Sequence, residues 1–205
     1  MSSPLKVLLF DLGGVVIEID FNHTFDIWST YSGVASDELR SRFSIDLAYR
    51  KHERGEIVAR EYFRSLRDSL QVDLSDSQFE EGWMAMLGSE VEGIESLLFQ
   101  LKDQFALYLF SNSNKIHHSY WTQRYDRVLQ MFQTIFVSSE IGVRKPDTDA
   151  FLAVANAIGE SPGNILFFDD TRENVEGARN AGFDSVQVNS VDAIRNALMK
   201  KNILL

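Results

Sequence analysis

The sequence predicts an α/β fold, a doubly wound parallel sheet flanked by helices, with an α-helical insertion after the first strand. Three observations support this prediction. Short apolar runs recur along the chain, amphipathic helical patterns alternate with them, and one long stretch contains helical patterns alone. Strands that alternate with helices build right-handed βαβ units. With 205 residues, 44% of them hydrophobic and 24% charged, the chain suits one globular domain that carries an inserted lobe.

Each predicted strand is a short apolar run that ends abruptly in polar residues. The first run, VLLF, ends at Asp11 and is followed at once by Gly13 and Gly14. This pattern is typical of a buried parallel strand that enters a tight turn. The predicted strands cover residues 7–10, 107–110, 135–137, 165–168 and, with a weaker pattern, 185–188.

Helical patterns fill the intervals between the strands. Pro146 before one pattern and Gly159 after it are typical helix boundaries, and Gly182 is typical of a left-handed C-terminal cap. The apolar residues of these patterns recur with the spacing of one helix face. The helices are predicted over residues 91–101, 147–158, 171–181 and 191–200.

Residues 21–88 break this alternation because they contain no apolar strand run. Helical patterns there predict an inserted unit, which we call the cap. We place the cap at residues 18–90 and the core at residues 1–17 and 91–205. The cap helices are predicted over residues 24–31, 36–48, 59–70 and 75–86.

Composition restricts the function classes. The chain contains no cysteine, which excludes disulfides and cysteine metal sites. Its formal net charge of −10 disfavours nucleic-acid binding, and an anionic substrate would need a locally positive site. No apolar stretch approaches the roughly 20 residues of a membrane span, and the residues up to Leu9 show no signal-peptide pattern. We therefore expect a cytoplasmic protein, a monomer or weak dimer, with a small-molecule substrate.

Chemically distinct side chains stand at the predicted strand ends. Asp11 follows the first strand, Ser111 the second, Lys145 the third after a short loop, and Asp169 with Asp170 the fourth. Ligands of open α/β sheets bind outside the carboxyl ends of the strands, so we expect these groups in one crevice. Carboxylates suit Mg²⁺, and lysine and serine suit phosphate oxygens. An aspartate beside a metal can attack phosphorus, so the sequence predicts a phosphoryl-transfer site.

Four motifs in this order resemble those of the haloacid-dehalogenase superfamily, and the resemblance covers nearly the whole chain. Each motif alone is weak, but the four together, each at a strand end, are specific. The helical insertion is similar to the small α-helical cap of that family, and the resemblance implies its Rossmann-like core. The motifs are Asp11-Leu12-Gly13-Gly14-Val15, Leu109-Phe110-Ser111-Asn112, Arg144-Lys145-Pro146, and Phe168-Asp169-Asp170 with Asn174.

The resemblance implies a phosphatase in which Asp11 is the nucleophile, with Lys145 as the second catalytic residue. The implied Mg²⁺ ligands are Asp11, the backbone carbonyl of Gly13, and Asp170. The implied phosphate ligands are Ser111, the Asn112 amide and Lys145. An alternative for Ser111 and Asn112 is that they cap the helix that follows.

Asp169 and Asn174 are expected to support these ligands from behind. Asn174 lies four residues after Asp170, on the same helix face, where it can orient Asp170 or Lys145. The alternatives are that Asp169 and Asp170 cap the next helix and that Asn174 is a plain surface residue.

Short segments narrow the resemblance to bacterial α-D-glucose-1-phosphate phosphatases, which implies a sugar-phosphate substrate. They are Ile19-Asp20-Phe21-Asn22, His52-Glu53-Arg54-Gly55-Glu56-Ile57 and Ser111-Asn112-Ser113-Asn114. We expect His52, Glu53 and Arg54 in a loop between cap helices that reaches the active site and selects the leaving group. The alternative is a charged helix end at a turn.

One position departs from the pattern of most phosphatases in the superfamily. They carry a second aspartate two residues after the nucleophile, which protonates the leaving oxygen, and here that residue is Gly13. General acid–base help contributes about 10²- to 10⁴-fold to a rate. The glycine favours a good leaving group such as an anomeric phosphate, and it leaves two alternatives open. One is a 2-haloacid dehalogenase and the other is a non-catalytic module that binds phosphate ligands.

Overall fold

The structure is a computed structural model that describes residues 5–203, so residues 1–4 and 204–205 of the predicted core lie outside the described residues. Its strands are β1 Val7–Phe10, β2 Ile17–Ile19, β3 Leu87–Glu90, β4 Ala106–Ser111, β5 Thr134–Val137, β6 Ile165–Asp169 and β7 Asp184–Gln187. Its helices are α1 Phe21–Ser32, α2 Ser36–Arg42, α3 Leu47–Glu53, α4 Ala59–Leu70, α5 Asp76–Ala85, α6 Ile94–Leu101, α7 Lys115–Arg124, α8 Asp126–Leu129, α9 Ser138–Ile141, α10 Thr148–Ile158, α11 Arg172–Asn180 and α12 Val191–Lys200.

The predicted doubly wound parallel sheet is confirmed. Five strands pair in the order β5-β4-β1-β6-β7, and every pairing is parallel. The chain moves outward on one side of β1 through β4 and β5, then returns to the other side with β6 and β7. Strand order therefore reverses at β1, which is where open α/β sheets bind ligands.

Successive side chains of β1 point to opposite faces of the sheet, and each face packs on its own helices. Leu8 and Phe10 belong to a core shared with α6, α7, α8 and α12. Val7 and Leu9 belong to a second core shared with α10 and α11. Burial on both faces explains why the strand is an uninterrupted apolar run rather than an alternating one.

Helices α1 to α5 form a helical segment with an apolar core of its own, which includes Phe25, Trp28, Tyr62 and Trp83. The indoles of Trp28 and Trp83 stack with centroids 5.7 Å apart. The segment follows the order predicted for the cap, but the chain boundaries at residues 18 and 90 stay a prediction.

Two features of this region differ from the prediction. The helix predicted over 36–48 is split, because Phe43 is extended and the Asp46 side chain caps α3 by accepting from the Tyr49 amide at 2.8 Å. A strand pair, β2 with β3, also lies at the base of the segment, with Ile17 opposite Glu90 and Ile19 opposite Leu87. These strands are short and β3 is mostly polar, so neither has a clear strand pattern.

The core helices differ from the prediction in smaller ways. Helix α6 begins at Ile94 rather than at residue 91, because Gly93 takes a left-handed conformation with φ of 82°. Gly182 has the expected left-handed φ of 88° after α11. Helices α7, α8 and α9 were not predicted. Among residues 5–203 no helix is both long and apolar enough to cross a bilayer.

Candidate active site

The predicted site residues surround one cavity of about 290 Å³ at the carboxyl ends of the central strands. The helical segment contributes part of the cavity wall, including Phe21, Tyr49 and Glu53. The residues expected from the motifs that line it are Asp11, Gly13, Ser111, Asn112, Lys145, Asp170 and Asn174.

The ammonium of Lys145 stands at the centre of the site. Its Nζ lies 2.5 Å from Asp11 Oδ1 and 2.8 Å from Asp169 Oδ2. It also lies 5.3 Å from the ring centroids of both Phe110 and Phe167, and the residue is only 1% exposed. One buried cation therefore joins the ends of β1 and β6, with aromatic rings of β4 and β6 around it.

Two contacts place the loop that carries Lys145. The Asn112 side chain accepts from the Lys145 amide at 2.9 Å and donates to the Lys145 carbonyl at 2.8 Å. On the other side, Gly177 of α11 lies so close that a Cβ there would meet the Pro146 carbonyl oxygen at 2.1 Å. The loop is thus held between the end of β4 and a helix that approaches without a side chain.

Asp169 is buried and its oxygens are occupied. Besides Lys145, it accepts from the Thr171 amide at 2.8 Å and from Asn174 Nδ2 at 3.0 and 3.1 Å. Asn174 therefore contacts Asp169, not Asp170 or Lys145 as the helix spacing indicated. The aspartates are also not the N-cap, which is Thr171. This arrangement makes Asp169 the anchor of Lys145 rather than an open ligand.

Burial raises the pKa of Asp11 to about 7; the charge of Lys145 opposes the shift and the charge of Asp169 adds to it. For Lys145, burial lowers the pKa, but the charges of Asp11 and Asp169 outweigh burial and hold the pKa above its ordinary value. The ammonium is therefore the fixed charge of the site, while Asp11 gains a proton readily unless a further cation approaches.

The carboxylates of Asp11, Asp169 and Asp170 can bring one oxygen each within 4.8 Å of one another. Since Asp169 is occupied, Asp11 and Asp170 remain as open oxygen donors, and Gly13 lines the same cavity. Gly14 has φ of +74°, and a Cβ there would lie 2.3 Å from Asp170 Oδ2. The glycine thus makes room for Asp170, and an all-oxygen donor set of this kind fits Mg²⁺.

Ser111 and Asn112 meet the cavity in different ways. Ser111 lines the cavity, where its hydroxyl can bind a ligand oxygen. The Asn112 side chain is committed to the Lys145 loop, which leaves its backbone amide for a ligand. Neither residue caps the next helix, because the Asn114 side chain does so by accepting from the Ile116 and His117 amides.

His52, Glu53 and Arg54 do not form a loop. His52 and Glu53 are the last residues of α3 and Arg54 follows at its end, which matches the alternative of a charged helix end. Only Glu53 lines the cavity. His52 instead stacks on Tyr62 at 4.7 Å, and burial lowers its pKa to about 4. Arg54 pairs with Glu56 at 2.5 Å.

Tyr49, His117 and Arg144 also line the cavity, and none of them has a role assigned from the sequence. Arg144 pairs with Glu53, with Nε 2.7 Å from Oε2. Burial lowers the pKa of His117 to about 4, and its Nε2 donates to the Trp83 carbonyl at 3.0 Å. The neutral ring is thus held in one tautomer. Asn114, which caps α7, is the local sequence signal for the helix that carries His117. The contacts of His117 with Trp83 and of Arg144 with Glu53 join residues far apart in the sequence, so no local pattern indicates them.

The space above Gly13 is filled by Ile19. A Cβ on Gly13 would lie 2.9 Å from Ile19 Cγ1, which is closer than packing allows. An aspartate at position 13 would therefore need Ile19 to move. Ile19 thus occupies the space that the missing side chain of Gly13 leaves open.

Comparisons with known proteins find a matching family model and several relatives. A family model described as haloacid dehalogenase-like hydrolase matches residues 5–182. The D-ribitol-5-phosphate phosphatase of Bacteroides thetaiotaomicron is 21% identical over 189 residues, which cover 89% of this chain and 91% of the relative. A sesquiterpene phosphatase of Aspergillus oryzae is 27% identical over 186 residues, 89% of each chain. A wild-type haloacid-dehalogenase-family enzyme from B. thetaiotaomicron, solved with magnesium and inorganic phosphate, superposes with a TM-score of 0.77 at 25% identity, over 91% of this chain and 96% of that chain.

Replacing Lys145 with methionine should destabilise the metal-free protein by about 3–5 kcal/mol at pH 8, because two buried carboxylates lose their cation. Burial already raises the pKa of Asp11, and the lysine that opposes this shift is then gone, so the folded state takes up a proton as pH falls and the loss of stability shrinks. Urea unfolding in EDTA at pH 8 and pH 5 measures both values. An equal loss at the two pH values would contradict this electrostatic account.

Proposed function

The chain belongs to the haloacid dehalogenase-like hydrolases, and from that premise we propose that it is a Mg²⁺-dependent phosphoric monoester hydrolase of small sugar phosphates, such as α-D-glucose 1-phosphate. The observation that carries the proposal is the Asp11 carboxylate, which lines the cavity, is held by Lys145 and lies beside Asp170. The similarity to a D-ribitol-5-phosphate phosphatase supports a substrate of this class.

In the proposed mechanism an oxygen of Asp11 attacks phosphorus while the bond from phosphorus to the leaving oxygen breaks. This step forms an aspartyl-phosphate on Asp11 and releases the alcohol, whose oxygen takes up a proton. Water then attacks the same phosphorus, which releases phosphate and restores the Asp11 carboxylate. Lys145, Ser111 Oγ and the Asn112 amide bind the phosphate oxygens as charge shifts among them.

Asp11, Asp170 and the Gly13 carbonyl would hold Mg²⁺. When bound, the ion supplies positive charge that neutralises the phosphoryl oxygens and keeps Asp11 ionised. Without that charge the raised pKa of Asp11 leaves a substantial fraction protonated near pH 7 and unable to attack. The positive charge demanded by an acidic protein of net charge −10 would thus come from Lys145 and the metal.

We also propose that residues 18–90 act as the cap that covers the site, since three of the cavity residues from this range come from α1 and α3. The cytoplasmic location, the monomeric or weakly dimeric state and the absence of nucleic-acid partners stay predictions from composition.

A 2-haloacid dehalogenase is favoured by one observation, the glycine at position 13, because a halide leaves without a proton. Against it stands Asp170, an open carboxylate beside Asp11 that halide chemistry does not require. A non-catalytic binding module would need no ionisable nucleophile, and the ion pair of Asp11 with Lys145 at the cavity supports a reacting role for Asp11 instead. The phosphatase accounts for both carboxylates and the lysine.

The purified protein should release phosphate from α-D-glucose 1-phosphate in Mg²⁺ and stop in EDTA, and Asp11→Asn should lose at least about 10³-fold in kcat because a neutral amide is a poor nucleophile. A malachite-green phosphate assay measures this. Glu173→Gln, which changes an acidic residue outside the cavity, is the control. Full activity in Asp11→Asn would overturn the nucleophile assignment, and halide release without metal would favour the dehalogenase.

Gly13→Asp should be poorly active because its side chain meets Ile19, whereas the double variant Gly13→Asp/Ile19→Ala should accommodate the carboxyl group. The double variant should gain about 10²-fold or more on alkyl phosphates, whose alcohols need a proton to leave. Steady-state rates on n-pentyl phosphate for wild type, both single variants and the double variant test this. If the two aspartate variants were equally inactive, Ile19 would not be the obstacle.

A further inference from the structure

A buried ion pair in the cavity wall joins the helical segment to the sheet. We propose that this pair, Glu53 with Arg144, recognises hydroxyl groups of the alcohol that leaves, so that the substrate is the monophosphate of a polyhydroxylated alcohol. The inference rests on the proposed function, because it concerns the alcohol released when Asp11 takes the phosphoryl group.

The two residues come from opposite sides of the cavity wall. Glu53 ends α3, and Arg144 immediately precedes Lys145 in the loop between α9 and α10. Arg144 Nε donates to Glu53 Oε2 at 2.7 Å, with side-chain exposures of only 13% and 8%. Because Arg144 adjoins the residue that contacts Asp11, the pair has a fixed relation to the reacting group.

The pair has unused hydrogen-bonding capacity. A guanidinium carries five N–H donors, and among residues 5–203 the Arg144 side chain uses only the one on Nε. A carboxylate has about four acceptor sites, of which Arg144 takes one and the Tyr49 hydroxyl a second. Tyr49 also lines the cavity; burial and the nearby Glu53 raise its pKa, so its hydroxyl keeps its proton. The pair therefore offers both donors and acceptors to a molecule in the cavity.

Hydroxyl groups fit this surface better than an anion or a wholly apolar group does. The charges of Glu53 and Arg144 cancel formally, so the pair gives no strong attraction for a second anion. An apolar group would cover the open N–H donors and leave them without partners, which costs free energy. Each hydroxyl can donate to the carboxylate and accept from the guanidinium, while Ile19, Phe21, Ile45 and Met86 offer an apolar wall for carbon atoms.

The ion pair is not needed to hold α3 in place, because other contacts already join the end of this helix to the core. Ser138 Oγ donates to the Glu53 carbonyl at 2.6 Å. Gly55 lies so close to the core that a Cβ there would meet the Ser139 carbonyl oxygen at 2.3 Å. A buried ion pair by itself is weak evidence for stability. The backbone contacts therefore fix the helix end, and the side chains are left for the ligand.

The test compares two primary-alcohol phosphates with the same five carbons, ribitol 5-phosphate and n-pentyl phosphate, in Mg²⁺. Wild type should prefer ribitol 5-phosphate by at least about tenfold in kcat/KM. Glu53→Gln and Arg144→Met should each reduce kcat/KM for ribitol 5-phosphate about 10- to 100-fold, mainly through KM, and change the value for n-pentyl phosphate by less than about threefold. Glu56→Gln, the same change three residues on and outside the cavity, should alter neither.

The outcomes separate the two claims. Equal losses on both substrates in the two variants would mean that the pair only holds α3 against the core. That result would overturn the inference and leave the proposed phosphatase activity unaffected. A wild type without preference for ribitol 5-phosphate would overturn the inference as well. If wild type released phosphate from no ester, the proposed function itself would fail. A second measurement does not depend on the folding of Glu53→Gln. Free ribitol should inhibit the hydrolysis of n-pentyl phosphate by wild type competitively, and Arg144→Met should lose this inhibition. If ribitol did not inhibit wild type, the inference would be contradicted.

Discussion

The site depends on one buried ammonium. Lys145 stands between Asp11 at the end of β1 and Asp169 at the end of β6, and a cation in this place makes two nearby buried carboxylates tolerable. The surrounding sequence serves that arrangement. Asn112 holds the lysine's backbone, Asn174 holds Asp169, and Gly177 lets α11 approach the loop. The same contacts that stabilise the ends of these strands thus hold Asp11, the nucleophile that we propose.

This arrangement also gives the three carboxylates different roles. Asp169 is saturated by Lys145, Asn174 and the Thr171 amide, so it is fixed and structural. Asp11 and Asp170 keep open oxygens, and burial raises the pKa of Asp11 while the charge of Lys145 opposes the shift. Adjacent aspartates in the sequence therefore have different environments, and a divalent cation would complete the charge balance.

The side of the cavity that would face the leaving alcohol is built differently. Gly13 and Ile19 together remove the place where an acidic side chain would stand, and the neutral His117 is held by Trp83. Polar recognition on this side is left to the pair of Glu53 and Arg144. In our proposal the cavity thus binds the phosphate through charge and the alcohol through hydrogen bonds to a pair without net charge.

Much of this could be predicted from the sequence because the signals are local. The runs that end at Asp11, Ser111 and Asp169 mark strand ends, and the parallel sheet that the structure confirms brings such ends together. The resemblance to the haloacid-dehalogenase superfamily is confirmed by the family match.

Other contacts could not be predicted from the sequence patterns. The spacing of Asn174 from Asp170 indicated a shared helix face, but its partner is Asp169, because the chain turns before α11 begins. The pairing of Glu53 with Arg144 joins residues 91 positions apart. The break between α2 and α3 depends on the cap formed by Asp46, which a continuous helical pattern conceals.

The central claim is that phosphate passes through the Asp11 carboxylate. The most direct measurement is to mix the Mg²⁺-loaded protein with substrate, quench within milliseconds, reduce with borohydride and map the product by peptide mass spectrometry. Reduction converts an aspartyl-phosphate to homoserine, so the account predicts homoserine at position 11 alone. Phosphate release in the same reaction with an unmodified Asp11, or with homoserine at another aspartate, would contradict it.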